Sequence, residues 1–308
     1  MIILFLNKYL IVKQKIFDYL FYFFRGIGRL YIKYFFDCCP ASYPYITGDG
    51  FRKLADHIYD NKNKYIAVEE VKENNIVFVG IESVEDFFNQ IHPQIKNRYT
   101  LITHNGDIGI SQMLANKIDD KIIKWYAQNV EIKHQKLIPM PIGLENKHYY
   151  NNGIPCLYNK IRKKTVSKNS RILFGFSVST NIEERQQAYD YLTTNSLTDK
   201  INLKINPWTY LNILNKYNFV ASPPGNGIDC HRTWEAIYLG VVPIVKRSIM
   251  TEYFYKLGLP LWIIDDWNEL NNLNENDLLI KYREFESRFD SPAIFMEYWK
   301  KKISFARY

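Results

Sequence analysis

The stretch of sequence that decides the fold covers residues 218–247 and reads Asn218-Phe-Val-Ala-Ser-Pro-Pro-Gly-Asn-Gly-Ile-Asp-Cys-His-Arg-Thr-Trp-Glu-Ala-Ile-Tyr-Leu-Gly-Val-Val-Pro-Ile-Val-Lys-Arg247. Strand formers such as Phe219 and Val220 precede prolines and glycines, and a helical stretch then leads to the apolar run 241–245. The pattern predicts a strand, a glycine loop, a short helix and a second strand. Such units build parallel α/β sheets, which bind ligands beyond the carboxyl ends of their strands.

The loop and the first turn of this predicted helix have the composition of an anion site. Loop N–H groups and the positive end of a helix that starts near Asp229 favour a phosphate group. Arg232 adds a two-pronged donor, and Glu235, one turn further on, is suited to accept hydrogen bonds from a ribose diol. On spacing alone, Arg232 and Glu235 could equally pair with each other, so this alternative stays open.

The whole segment resembles the nucleotide-binding half of exostosin-like glycosyltransferases. In that family a Pro-x-Gly loop leads into an Arg-x-x-Glu-Ala helix. A glycine follows the helix, and then a short apolar strand that begins with proline. The matching residues here are Ser222, Pro223, Gly225, Arg232, Glu235, Ala236, Gly240, Pro243 and Ile244. This chain departs from the pattern at Pro224, where the family has a basic residue.

Further blocks extend the resemblance upstream, so that it spans roughly residues 40–270. They read Thr100-Leu-Ile-Thr-His-Asn-Gly-Asp107, Lys124-Trp-Tyr-Ala-Gln-Asn129, Lys136-Leu-Ile-Pro-Met-Pro-Ile-Gly-Leu-Glu-Asn146 and Phe176-Ser-Val-Ser-Thr-Asn181. The resemblance implies a nucleotide-sugar donor. The residues that would bind it are Thr180, Arg185, Ser222, Gly225, Asn226, Gly227, His231, Arg232 and Glu235.

Three of these positions also have an ordinary structural interpretation. Thr180 and Arg185 flank the start of a predicted helix, where a second diphosphate contact competes with a simple helix cap that faces solvent. His231 is placed to bond a phosphate or the nucleotide base, but it could equally be an interior histidine bonded to backbone.

Strand and helix patterns alternate in both halves of the chain. In the second half, strands are predicted at 172–174, 201–204, 219–221, 241–245 and 261–264, with helices at 182–192, 208–214, around Arg232 and at 250–257. In the first half, strands are predicted at 76–79, 99–103, 122–127 and 137–140, with a helix at 84–91. This alternation predicts GT-B, in which two doubly wound, Rossmann-like domains face each other across a cleft.

The predicted domains follow from these patterns. They are an N-terminal segment of residues 1–40, an acceptor domain of residues 41–160, a nucleotide-sugar-binding domain of residues 161–290 and a final segment of residues 291–308. The last segment is expected to form a helix that crosses back to the first domain.

The first domain is expected to supply a catalytic base. Thr103-His-Asn-Gly-Asp107 directly follows a predicted strand, so His104 and Asp107 lie on a loop at the carboxyl edge of the sheet. Asp107 is the leading candidate, and Asp49, Glu145 and His104 are alternatives, although each also fits an ordinary turn residue. The chain contains no Asp-x-Asp motif, and we expect a reaction that is independent of metal and inverting.

Length and composition suit a globular protein. The chain has 308 residues, of which 47% are hydrophobic, and this is enough for two domains with their own cores. The four cysteines, at positions 38, 39, 156 and 230, show no disulfide framework, so a reduced, cytoplasmic setting is expected. No cleavable signal is expected, because Lys8 interrupts residues 1–12 and no small-residue cleavage site follows.

The first 40 residues are strongly basic. They hold six lysines and arginines against two aspartates, which is half of the net charge of +8. Apolar residues here follow helical spacing, and Arg25, Arg29 and Lys33 form a separate row. The pattern predicts a basic amphipathic helix through which residues 1–36 lie on the surface of an anionic membrane without spanning it. The alternative is a helix docked on the protein's own core.

Nucleic acid is not an expected partner. The remaining positive charge is spread over the rest of the chain, and no recognised nucleic-acid motif occurs. The one concentrated basic run, at residues 160–171, is interpreted as a solvated linker between the two domains.

Together, the residues and the resemblance predict a glycosyltransferase that moves a hexosyl or pentosyl group from a nucleotide-diphosphate donor. The acceptor would be a glycan or a lipid-linked oligosaccharide in the synthesis of surface polysaccharide or glycoprotein glycans. Apart from this donor substrate, no cofactor is expected. The alternative from another class is a non-catalytic nucleotide- or glycan-binding protein that kept the pocket and lost the base.

Overall fold

The structure is a computed structural model that describes residues 16, 19–30, 39–202 and 204–305. Two five-stranded sheets form its framework, and neighbouring strands run parallel throughout both. The first sheet lies between residues 57 and 139, and the second lies between residues 169 and 264. The predicted fold class, two parallel α/β domains in the GT-B arrangement, is therefore confirmed.

The first sheet has its strands in chain order. They are β1 His57–Tyr59, β2 Asn75–Gly80, β3 Tyr99–His104, β4 Ile122–Ala127 and β5 Leu137–Pro139. All of these strands except β1 were predicted. Gly80 is paired with His104 in the register of β2 and β3, so the loops after both strands leave the sheet at one edge.

The helices of the first half are short. They are α1 at residues 19–30, α2 Gly48–Arg52, α3 Val84–Asp86, α4 Gln112–Ala115 and α5 Pro155–Arg162. The predicted helix at 84–91 is helical throughout, but only α3 is regular, because a π-helical turn, Phe87–Ile91, continues it.

The second sheet has the order β10-β9-β8-β6-β7. The strands are β6 Asn169–Phe174, β7 Thr198–Lys200, β8 Tyr217–Ala221, β9 Val242–Lys246 and β10 Trp262–Ile264, and the helices are α6 Ile182–Thr194, α7 Pro207–Leu214, α8 His231–Tyr238, α9 Ile249–Lys256 and α10 Glu275–Arg283. The chain runs from β6 to one side and then returns to the other side at β8. The carboxyl ends of β6 and β8 therefore form the topological switch point, where open α/β sheets bind ligands.

The last helix, α11 Met296–Phe305, packs against the first domain. The Tyr126 hydroxyl on β4 donates to the Lys302 carbonyl at 3.2 Å. Trp299 is fully buried, and its ring lies 6.3 Å from that of Phe51 on α2. Burying a large aromatic side chain stabilises a fold by about 2 to 3 kcal/mol, so this contact fixes the returning segment.

The basic run at residues 160–171 is only partly the solvated linker that the sequence predicted, because residues 162–165 and 167 are exposed whereas its later cations are partly buried. Its first residues end α5 and its last residues begin β6. Lys168 is largely buried and donates to the carbonyls of Tyr217 and Leu239, and burial lowers its pKa to about 8. Arg171 forms a two-pronged ion pair with Asp199 at the edge strand β7. The run therefore connects the two domains, and its last two cations, Lys168 and Arg171, are held by partners in the second domain.

Helix α1 turns its polar side to the protein and its apolar side outward. Arg29 donates to the Tyr149 carbonyl, and Arg25 points toward the cleft. The exposed apolar side chains are Tyr19, Leu20, Phe23, Phe24, Ile27 and Leu30, and Tyr22, which is also exposed, lies on the cleft side beside Arg25. Most of the predicted segment 1–36, including Lys33, lies outside the described residues, so its placement on a membrane surface stays a prediction. Across the described ranges, no helix is long and apolar enough to cross a membrane.

Candidate functional site

A cavity of about 570 Å³ lies at the switch point of the second sheet and opens toward the first domain. The second domain contributes its glycine loop at residues 225–227 and the start of α8, and the first domain contributes Asp107 and Ile142. Of the predicted donor-binding residues, eight line this cavity: Thr180, Arg185, Gly225, Asn226, Gly227, His231, Arg232 and Glu235. The ninth, Ser222, does not, because its hydroxyl is buried against that of Thr233 at 2.9 Å.

Helix α8 aims Arg232 at the end of β6. One Arg232 Nη2 hydrogen bond goes to the Gly175 carbonyl at 2.8 Å, and the guanidinium carbon lies 5.8 Å from the centre of the Phe176 ring. Arg232 and Glu235 are both described, yet no ion pair within 4.0 Å joins them. The alternative in which they simply pair is therefore not what the structure contains, and the guanidinium keeps donors for a ligand.

Glu235 is a buried carboxyl group with an unsatisfied oxygen. Only 3% of the residue is exposed, and its Oε1 has no hydrogen-bond partner. Burial raises the pKa of Glu235 to about 7, against a smaller lowering by Arg232. Tyr210 lies beside both side chains, and burial also raises its pKa. A buried polar atom without a partner costs stability, so its presence at the cavity points to a ligand group that it binds.

The start of α6 holds Arg185 against the glycine loop. Asn181 caps α6 by accepting from the Glu184 N–H, and its own amide donates to the Gly225 carbonyl at 3.0 Å. Arg185 is 7% exposed and donates to the Pro224 and Ser177 carbonyls. It is therefore not the cation of a solvent-facing cap. Its backbone bonds fix the loop, and its guanidinium lines the cavity.

The glycine loop is anchored from the first domain by Asn129. The Asn129 side-chain oxygen accepts from the N–H groups of Ile228 and Asp229 at 3.0 and 3.4 Å. Within the described residues, the N–H groups of Asn226 and Gly227 donate no hydrogen bond. These two are the loop amides that remain for an anion.

Asp229 connects the two domains at the floor of the cleft. It is 7% exposed, and its Oδ2 accepts from the Ile142 N–H and the Trp234 indole, both at 2.8 Å. Burial raises the pKa of Asp229 to about 7, and its hydrogen bonds oppose this rise. The carboxyl group is thus occupied by protein donors and holds α8 against the first domain.

His231 is an interior histidine bonded to backbone, which was one of the two interpretations left open. Its Nδ1 lies 2.8 Å from the Gly143 carbonyl and therefore carries the proton that it donates. Burial lowers the pKa of His231, so the ring is neutral near pH 7. The ring also lines the cavity, so a ligand contact is compatible with this bond.

The candidates for a base differ sharply in their surroundings. Asp107 is exposed to the cleft, lines the cavity and accepts from the Asn226 amide at 3.0 Å across the domain boundary. His104 is 2% exposed; its Nε2 donates to the Pro141 carbonyl and its Nδ1 accepts from the Asn105 N–H. Burial lowers the pKa of His104 to about 4. His104 has no free nitrogen to take a proton from a substrate, so its predicted catalytic role is not supported.

The other two alternatives also lie at the carboxyl edge of the first sheet. Glu145 Oε2 accepts from the Asn152 N–H at 2.9 Å. Asp49 is 1% exposed and lies 2.6 Å from Nδ1 of His148, a residue that the sequence did not single out. This pair lines a smaller polar cavity of about 170 Å³, together with Asn105. The pair of Asp49 and His148 does not line the larger cavity, to which Arg232 belongs.

Several residues of the larger cavity escaped prediction because distant parts of the chain supply them. Tyr22 and Arg25 come from α1, and Tyr210 comes from α7. Asn129, which anchors the glycine loop, is the last residue of the block 124–129, and the resemblance of that block was the only signal for it. Across the described parts of the chain, no group of three His, Cys, Asp or Glu side chains could hold a metal ion.

Fold and site together define a two-domain GT-B protein with a cationic cleft at the switch point of its second sheet. No model of a known protein family matches the sequence, and no curated protein matches it. The exostosin-like resemblance therefore remains a prediction.

Solved structures match the chain at low identity. An α,α-trehalose 6-phosphate synthase from Burkholderia multivorans has 8% identity and a TM-score of 0.46, over 78% of this chain and 71% of that chain. A UDP-forming synthase from Burkholderia xenovorans, in complex with glucose-6-phosphate, has 8% identity and a TM-score of 0.44, over 78% and 74%. A glycotransferase of kitacinnamycin has 10% identity and a TM-score of 0.31, over 78% and 72%. The order of the strands, rather than this distant likeness, defines the architecture.

Proposed function

We propose that this protein is a glycosyltransferase related to the exostosin-like enzymes, and that it moves a hexosyl or pentosyl group from a nucleotide-diphosphate donor to a glycan acceptor. One observation carries the proposal: Arg185, Arg232 and an unsatisfied oxygen of the buried Glu235 surround a single cavity at the switch point. Cations suit the diphosphate, and the carboxyl group suits a ribose diol.

Bond breaking in this scheme takes place at the anomeric carbon of the donor. The bond between that carbon and the diphosphate oxygen breaks, and its electron pair leaves with the diphosphate. Arg232 and the free N–H groups of Asn226 and Gly227 stabilise the charge that develops on the leaving group. These groups supply positive charge without a metal ion, which is why we propose a reaction that is independent of metal.

Bond formation would take place on the opposite face of the sugar, which inverts the anomeric centre. The acceptor hydroxyl oxygen forms the new bond to carbon, and its proton passes to the Asp107 carboxylate. Asp107 is the proposed base because it is a carboxylate that lines the cavity from the first domain. The hydrogen bond from Asn226 holds its carboxylate at the domain boundary.

The acceptor is proposed to be a glycan or a lipid-linked oligosaccharide at the cytoplasmic face of a membrane. The exposed apolar face of α1 supports this placement, since an isolated patch of that kind marks an interaction surface. Phe24 on α1 is 60% exposed, and Ile280 on α10 is 52% exposed and serves as a matched control. Phe24→Glu should weaken co-sedimentation with anionic vesicles, and Ile280→Glu should not. Equal binding by both variants would contradict the membrane proposal.

The donor site is tested by nucleotide binding and turnover. We would measure thermal shifts with UDP, GDP, CMP and their sugar conjugates, and then turnover with the conjugate that binds. Arg232→Gln should lose roughly 10- to 150-fold in both, because one charged hydrogen bond contributes about 1.5 to 3 kcal/mol. Arg283→Gln, an exposed arginine at the end of α10, is the control and should leave both unchanged.

The base is tested separately from the donor site. Asp107→Asn should bind nucleotide within about twofold of the wild type and lose roughly 100-fold or more in turnover, because a positioned base contributes about 10²- to 10⁴-fold. Unchanged turnover would exclude Asp107 as the base. A wild-type protein that binds nucleotide but forms no product with any glycan acceptor would instead be the non-catalytic binding protein.

A further inference from the structure

Helix α1 reaches over the larger cavity with two side chains. Tyr22 and Arg25, one turn apart, line the same space as Arg185 and Arg232. The rest of α1 contacts the first domain through Arg29, which donates to the Tyr149 carbonyl. The helix therefore spans from the first domain to the mouth of a pocket that belongs to the second.

The surroundings of Arg25 are those expected of a side chain that binds a ligand. Its Nε is buried and has no hydrogen-bond partner. The guanidinium carbon lies 5.7 Å from the centre of the Tyr22 ring. A cation without a partner at a partly buried position costs free energy, which a bound anion would recover.

The cavity as a whole carries an excess of positive charge. Three guanidinium groups line it, those of Arg25, Arg185 and Arg232, and none forms an ion pair with a described carboxylate. Three carboxyl groups also line the cavity, namely Asp107, Asp229 and Glu235. Asp229 and Glu235 each have a pKa raised to about 7 by burial, so these two are partly protonated at neutral pH. The site is therefore most complementary to a ligand with more than one negative charge.

We infer that α1 is a cap on the nucleotide pocket and that Arg25 binds the phosphate groups of the ligand directly, opposite Arg232. The inference rests on the proposed function in taking that ligand to be a nucleoside diphosphate or its sugar conjugate. It adds a third arginine to the proposed binding site. It also assigns a binding role to α1, a helix that precedes both sheets in the chain.

The outer face of the same helix links this cap to the lipid surface. Phe23, Phe24 and Ile27 are exposed on the side opposite the pocket. Contact with an anionic bilayer would hold α1 in place. The phosphate groups of the nucleotide would then bind to an Arg25 that is already positioned over the pocket. Because coupling between two sites is reciprocal, vesicles should tighten nucleotide binding and nucleotide should tighten vesicle binding.

Pyrophosphate and UDP or GDP are the probes that test the assignment. Titration of the full chain should show Arg25→Gln binding each probe roughly 10- to 100-fold more weakly than the wild type, with a smaller loss for Arg25→Lys. Arg283→Gln is the control for loss of an arginine. If Arg25→Gln binds within twofold of the wild type while Arg232→Gln loses affinity, the cap is wrong and the donor site stands. If the wild type binds none of the probes, the proposed function fails as well.

Trypsin supplies a second readout, which a merely structural Arg25 would not change. The peptide bond after Arg25 lies within α1, and a bound phosphate should slow its cleavage in the wild type by drawing the side chain into the pocket. Cleavage after Arg283, at the far end of the second domain, reports general stabilisation by the ligand. Equal protection at both sites would overturn the inference, and selective protection after Arg25 would support it.

Discussion

Replacement of Glu235 by glutamine should make the protein more stable at high pH while removing a group of the proposed donor site. Glutamine has nearly the same shape and no charge, so the change isolates the cost of the carboxylate. Glu235 is 3% exposed, and burial raises its pKa from 4.5 to about 7. The folded protein thus holds this proton more tightly than the unfolded chain does. Below pH 4.5 the carboxyl group is protonated in both states, and the free energy of unfolding has its full value. As the pH rises toward and through 7, the folded protein loses stability, because ionisation is easier in the unfolded chain.

The size of the effect follows from the two pKa values of Glu235. A rise from 4.5 to about 7 corresponds to about 3 kcal/mol of lost stability once the carboxyl group is ionised in both states. Most of that loss, about 2 kcal/mol, falls between pH 5 and pH 8. Glu235→Gln should therefore gain on the wild type by about 2 kcal/mol over this interval.

Urea unfolding at pH 5, 6.5 and 8 would measure the difference between the two proteins. Glu286→Gln, at an exposed position, is the control, and its difference from the wild type should not change with pH. A constant difference between Glu235→Gln and the wild type from pH 5 to pH 8 would refute the reasoning. It would mean that the carboxyl group is solvated or paired in solution, and that its oxygen is not an unpaired acceptor for a ligand.

Three further changes test the contacts that position the site, each by urea unfolding. Asp229→Ala should cost about 2 to 4 kcal/mol, because it leaves a backbone N–H of the first domain and an indole of the second without their shared acceptor; a cost below 1 kcal/mol would contradict this bridging role. Gly143→Ala should cost more than 1 kcal/mol, since φ is +68° and a Cβ would lie 2.2 Å from the Ile46 carbonyl oxygen; a neutral change would contradict that geometry. Tyr238→Phe should cost about 1 to 3 kcal/mol, because its hydroxyl bonds a buried N–H and a buried carbonyl, and unchanged stability would show that water replaces it.

The second domain was largely predictable because its local patterns agree with its tertiary structure. β8, α8 and β9 lie within two residues of their predicted positions, where Gly240, at φ +65°, ends the helix and an apolar run forms the strand. β7 was predicted at 201–204 but lies at Thr198–Lys200. Its polar residues suit an edge strand, where Asp199 pairs with Arg171, and such a strand has no apolar run to reveal it.

The site was predictable only where one element carries it. Arg232 and Glu235 lie one turn apart on α8, so spacing alone brought them together. Arg25 is some 200 residues away in sequence, and no local pattern can indicate that α1 crosses the cleft. His104 shows the opposite error: a polar residue at the end of a strand was expected to be exposed, but the fold buries it and its Nε2 donates a hydrogen bond to the Pro141 carbonyl.

The return of α11 to the first domain means that the second domain is an insertion within the first. The chain leaves through α5 and comes back just before α11, and the two passages touch where the Arg162 guanidinium lies 5.6 Å from the Phe295 ring. Two adjacent passages of the chain therefore join the two domains, so that any change in the angle between the domains has to bend both passages together.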